Sequence, residues 1–105
     1  MGKDLEYSVE ITEAALADAE NFVRFLQEDR QEPLAAERWW NGLLDAVLSL
    51  ETMPGRWPVI PEQKHFAREL RHQIYASHRI IFSISGNLVT VLRIYHGARR
   101  PLEKL

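Results

Sequence analysis

Apolar and polar residues alternate at period two over Tyr7-Ser-Val-Glu-Ile11, the pattern of a half-buried strand. The period then changes. Thr12 is suited to cap a helix, with Glu13 in its first turn. Beyond it, Ala15, Leu16, Ala19, Phe22, Val23 and Leu26 recur at steps of three and four, which predicts an amphipathic helix to about Arg30. Gln31-Glu32-Pro33 breaks that helix, and Pro33 can open the next because its missing N–H would have no intrahelical partner there. Ala36, Trp39, Trp40, Leu43, Leu44, Val47, Leu48 and Leu50 form a second stripe, predicting helix over Pro33 to Glu51. So short a connection makes the two helices an antiparallel hairpin.

Met53-Pro54-Gly55 ends the second helix, and Trp57-Pro58-Val59-Ile60-Pro61 is a proline-stiffened link. Three strands are then expected. Arg68–Tyr75 and His78–Ile84 are separated only by Ala76-Ser77, a tight hairpin, and Ser85-Gly86-Asn87 turns the chain into Asn87–His96, with glycine supplying positive φ. Strand, helix, helix, strand, strand, strand makes an α+β domain. It has an N-terminal strand, an antiparallel two-helix hairpin and a C-terminal antiparallel three-strand meander, with the helices on one sheet face. Residues 1–105 read as a single domain.

Strand side chains alternate between faces. Sorting them by residue number puts Leu70, His72, Ile74, Ile80, Phe82, Ile84, Leu88, Thr90, Leu92 and Ile94 under the helices. The same sorting leaves Glu69, Arg71, Gln73, Tyr75, Arg79, Ile81, Ser83, Val89, Val91, Arg93 and Tyr95 on an uncovered face. Arginine there matches phosphate geometry, and tyrosine can stack on bases; equally, an exposed strand face is polar for solubility alone.

Charge sharpens that picture. Residues 1–67 hold 6 Lys and Arg against 13 Asp and Glu, a net of −7, whereas residues 68–105 hold 7 against 2, a net of +5. The overall charge of −2 thus hides a dipolar chain with a basic end suited to an anionic partner. At 105 residues, 46 % hydrophobic, the chain can bury one small core and is not a disordered sequence. The absence of cysteine excludes a disulfide, a thiol nucleophile and a Cys-based zinc site. With no apolar leader at the N-terminus and no span of roughly 20 apolar residues, a cytoplasmic location without membrane contact is expected.

The four histidines, His65, His72, His78 and His96, offer no i, i+4 pair with a matching carboxylate, so no metal or other cofactor is expected. His72 lies among apolar positions and reads as a core or hairpin residue. His96 could act as base or acid because imidazole titrates near neutrality. Trp39-Trp40 fits either core or the wall of a groove for a partner helix.

Arg68-Glu69-Leu70, His78-Arg79-Ile80-Ile81-Phe82, a Gly-Asn turn and Val91-Leu92-Arg93-Ile94-Tyr95-His96-Gly97-Ala98-Arg99-Arg100-Pro101 occur in that order. With the upstream strand, helical hairpin and Leu50-Glu-Thr-Met-Pro54, they make nearly the whole chain resemble the RelE/ParE toxins of type II toxin–antitoxin systems. The resemblance implies a growth-inhibiting, plasmid-stabilising toxin silenced by an antitoxin whose C-terminal segment wraps it. RelE-like members cut mRNA on the ribosome with Arg, Lys and a C-terminal Tyr or His; ParE-like members trap DNA gyrase on cleaved DNA. Arg79 and Arg99 stand where the nucleases keep arginines, but no tyrosine follows Arg100 and only Lys64 remains of their lysine cluster. The His-Gly-Ala-Arg-Arg-Pro tail is more similar to ParE-type members. The expectation is therefore a gyrase-binding toxin that is not an enzyme, with Arg71, Arg79, Arg93, Tyr95, His96, Arg99 and Arg100 as its target-binding basic face. Trp39, Trp40 and Leu43 are expected to form the antitoxin groove. The rivals are a ribosome-dependent endoribonuclease using Arg79, His96 and Arg99, and a non-toxic relative that only binds an antitoxin.

Overall fold

The computed structural model describes residues 6–97 and 101–105. Strand β1 (Ser8–Ile11) leads into helix α1 (Glu13–Arg24), which continues through a π-helical turn, Phe25–Asp29. Helix α2 (Pro33–Leu48) is extended by a 3-10 turn at Ser49–Glu51. After two further 3-10 turns, Pro54–Arg56 and Gln63–His65, come β2 (Arg71–Tyr75), β3 (His78–Ser85) and β4 (Leu88–His96). The sheet order is β1-β4-β3-β2, with β1 parallel to β4 and the other pairs antiparallel. The helical hairpin and the link thus carry the chain from β1 at one edge of the sheet to β2 at the other, and the β2-β3-β4 meander brings it back beside β1.

Thr12 and Asp18 dock α1 onto the sheet. Thr12 Oγ1 accepts from Ala15 N–H at 3.1 Å, capping the helix, and donates to the Leu92 carbonyl. Thr12 N–H also bonds the Val91 carbonyl, one rung past the end of β1. Beyond that rung the β1 side of β4 has no strand beside it. Asp18 fills the gap by accepting from Ile94 N–H at 3.0 Å. Ala15 and Ala19, both buried, bring the helix close enough for this.

The helix-side core joins Ala15, Ala19, Ala36, Trp39, Leu43, Val47 and Leu50 to Ile80, Phe82, Val89, Val91 and Ile94. The opposite sheet face is also covered. There Ile81 and Leu92 pack with Ile60, Leu70 and Leu102, flanked by Phe66 and Tyr95. The expectation of an uncovered second face is therefore corrected: the link after α2 and residues 101–105 lie across it.

Sorting by residue number also fails on β2 and most of β4. The two-residue turn pairs Tyr75 with His78, so Gln73 sits opposite Ile80 and Ile74 opposite Arg79. Paired residues share a face, and here the partners have opposite parity. Gln73 and Tyr75 accordingly face the helices, where Tyr75 Oη donates to the Trp39 carbonyl at 2.8 Å, and Ile74 is 55 % exposed. On β4, Val91 opposes Phe82 and Arg93 opposes Ile81, leaving Leu92 as the extra residue of a bulge. Val89 and Val91 therefore join the helix-side core, Leu92 turns outward, and Ile94 returns to the helix side.

Gly86, at φ +60, turns β3 into β4. Gly42 is required for a different reason: a Cβ there would collide with the Tyr75 hydroxyl. Gly42→Ala is expected to destabilise by about 2 kcal/mol, as overpacking and strain on the Tyr75 bond outweigh the helix preference for alanine. Tyr75→Phe in the same chain should recover part of that loss in urea denaturation.

Candidate functional site

Arg79 projects from β3 on the sheet face opposite the helices. Its Nη1 and Nη2 donate to the two carboxylate oxygens of Glu62 at 2.8 and 2.7 Å, and its Nε donates to His72 Nδ1 at 2.9 Å. The pair is enclosed, with side-chain exposures of 12 % and 8 %. The guanidinium also lies over the Tyr95 ring, 5.9 Å from its centroid. Hydrogen bonds from Arg79, aided by the Leu102 N–H, outweigh desolvation and hold the Glu62 carboxyl down at about 2 against its usual 4.5. Burial first, then the Arg79 charge, pulls the His72 pKa down, consistent with an Nδ1 that accepts a hydrogen bond.

Arg93 is held in the same way from the helical layer. Its Nε and Nη2 donate to the two oxygens of Asp18 at 2.7 and 2.8 Å, and this hydrogen-bonded partner raises its pKa. Arg71 donates to the carbonyls of Gly55 and Trp57 and to Glu69, tying β2 to the link.

The predicted basic residues are thus divided. Arg79, Arg93 and Tyr95 share the outer face, where Arg79 opposes Tyr95 directly. Arg71 and His96 belong to the other side: Arg71 pairs with Phe82, and His96 with His78. The His78 and His96 rings meet edge-on at 4.8 Å, and His78 packs against Phe22 and Trp39. His96 lines a hollow with Asp18, Asn21, Phe22, Phe25, His78 and Ile94, apart from Arg79. Arg99 and Arg100 lie outside the described residues. Two of these arginines are not open charges: Glu62 and Asp18, both from the acidic part of the sequence, pair with Arg79 and Arg93 in space.

The groove residues separate as well. Trp39 and Leu43 are buried in the helix-side core. Trp40, a helical step of about 100° from Trp39, remains half-buried between the helices. It lines a hollow with Glu20, Val23, Arg24, Gln27, Pro33, Ala36 and Glu37. Beside it an apolar crevice is lined by Ile11, Leu16, Leu43 and Leu44 among others, and Ile11, Leu16 and Leu44 stay exposed.

Sequence reasoning missed Asp18, Glu62 and Leu102. Asp18 had a signal, a lone acid at the spacing of the apolar stripe between Ala15, Ala19 and Phe22. Glu62 and Leu102 had none, because link and tail have no period to break. Among the described residues, no group of three or more His, Asp or Glu side chains is placed to hold a metal ion, and no helix is long and apolar enough to cross a membrane.

No curated protein sequence matches this chain. A solved structure of the chromosomal ParDE toxin–antitoxin system from P. aeruginosa shares the fold. It has 16 % sequence identity and a TM-score of 0.65, over 87 % of this chain and 96 % of that one. The family model described as the ParE toxin of type II toxin–antitoxin systems, parDE, matches residues 9–101. With nearly its whole length matched, the chain belongs to the ParE toxin family of type II toxin–antitoxin systems.

Proposed function

We propose that this protein arrests growth by trapping DNA gyrase on cleaved DNA, without cutting RNA itself, and that a cognate antitoxin wraps and silences it. The observation that carries the reading is the closure of Arg79. Cleaving RNA through its 2′-OH needs cations to take the developing phosphorane charge. The fork of Arg79 that would bind phosphate is filled by Glu62, and that of Arg93 by Asp18. A phosphate would have to displace a buried carboxylate held by three hydrogen bonds. Binding to a protein target makes no such demand. For the antitoxin, the exposed Ile11, Leu16 and Leu44 beside Trp40 suit the apolar face of an amphipathic helix.

Incubating the protein with gyrase, ATP and supercoiled plasmid should accumulate linear DNA after detergent and protease treatment. An intact plasmid together with cleaved ribosome-bound mRNA would favour a nuclease instead. Arg99→Ala is expected to weaken growth inhibition about tenfold or more, a loss of about 1.4 kcal/mol at the target, with antitoxin affinity little changed. A mutant as toxic as the wild type would mean that the tail is not the working end.

A further inference from the structure

Residues 101–105 run across the outer sheet face and are fastened at three points. Leu102 is buried in the cluster of Ile60, Leu70, Ile81 and Leu92. Its N–H donates to Glu62 Oε2 at 3.0 Å, the oxygen that also receives Arg79 Nη1. The Leu105 carbonyl accepts from Arg93 Nη1 at 3.4 Å. Glu62 is therefore a junction: one carboxylate joins the link, strand β3 and the carboxyl-terminal segment. Both arginines of the outer face that ion pairs engage also touch the tail, Arg79 through Glu62 and Arg93 directly.

We infer that Glu62 and Arg79 form a clasp that docks the carboxyl-terminal segment through Leu102, making Arg79 a positioning residue for the tail and not a contact to the target. The carboxylate is shared between a side-chain fork and a backbone N–H, so losing the tail leaves one buried acceptor short and losing Arg79 removes its counter-charge. Each half of the clasp holds the other. The functional part of this inference rests on the gyrase-poisoning reading, in which the docked tail presents the working end.

Carboxypeptidase trimming of the 105-residue chain, followed by mass spectrometry, reads the docking directly. Each rate is divided by that of the free peptide matching residues 101–105 of the same variant. Wild type should resist removal of Leu102, whereas Glu62→Gln and Leu102→Ala should each be trimmed through that position about tenfold faster, since cleavage follows the open population. Leu102→Met, which keeps an apolar anchor, should behave as wild type. Leu102→Ala keeps its backbone N–H and the Arg79–Glu62 pair, so it reads whether the tail is docked at all. Arg79→Lys, which loses the guanidinium fork, should also be trimmed faster and reads the clasp itself if Glu62→Gln does not fold. Equal normalised rates for wild type and Leu102→Ala overturn the clasp. The same variants are then scored for growth inhibition, which should fall about tenfold with the released tail; a released tail with full inhibition overturns the positioning role. If wild type itself does not inhibit growth, the gyrase reading fails, while the trimming rates still decide the clasp.

Discussion

Glu62→Ala should lower the unfolding free energy by about 3 to 5 kcal/mol, because it leaves the Arg79 guanidinium enclosed and without its carboxylate. A domain of this size has only about 5 to 15 kcal/mol in total, so the variant should be close to unfolded at growth temperature. The size of the effect comes from the partner left behind, more than from the net worth of the pair. It is also pH-dependent, with a definite sign. The folded carboxyl sits at about 2 and the unfolded one near 4.5, so the unfolded chain binds more protons between those values. The stabilisation, about 3 kcal/mol from this group, is fully present above pH 4.5 and is lost as pH falls toward 2. His72 acts in the same direction at higher pH. Its folded pKa is lowered from 6.5, so the unfolded chain takes up the proton first and stability declines as pH drops below that value. Urea denaturation of wild type and Glu62→Ala at pH 7 and pH 3 should show a gap that narrows in acid. A gap under about 1 kcal/mol at pH 7 would mean the pair is a surface contact.

Ile81→Ala should cost about 2 to 5 kcal/mol, the range for emptying a fully buried aliphatic site. Ile74→Ala should cost under about 1 kcal/mol, as expected for an exposed position. Alternation read by residue number predicts the reverse, with Ile74 under the helices and Ile81 on an open face. In the structure Ile81 is 0 % exposed and Ile74 is 55 % exposed. The contrast tests whether the link and tail cover the sheet, since Ile81 owes its burial to Ile60, Leu70, Leu92 and Leu102. Comparable, small losses at both positions would contradict that covering layer.

These two reversals mark the boundary of what the sequence can tell. The elements themselves were legible, because a period within each and a punctuating residue between them agree: Thr12 caps α1, Pro33 opens α2 and Gly86 turns β3 into β4. Faces were not, because they depend on pairing. The Ala76-Ser77 turn couples odd positions to even ones across β2 and β3, and the bulge at Leu92 shifts β4 by one residue. Neither offset leaves a trace in hydropathy. The basic end was legible as charge, but its neutralisation was not. Asp18 is 75 residues from Arg93 and Glu62 is 17 from Arg79, and composition cannot show that the acidic part of the chain folds onto the basic part. Trp39 and Trp40 carry the same lesson for helices. Adjacent tryptophans in a stripe look equivalent, and the core takes one while the other stays half-buried between the helices.

The central claim, that this toxin acts on DNA topology and not on translation, is tested most directly by pulse labelling within minutes of inducing it without an antitoxin. Incorporation of labelled thymidine should fall first, with filamentation, while labelled amino acids continue to enter protein. Early loss of amino-acid incorporation with DNA synthesis intact would contradict the account and return Arg79, His96 and Arg99 to catalytic roles.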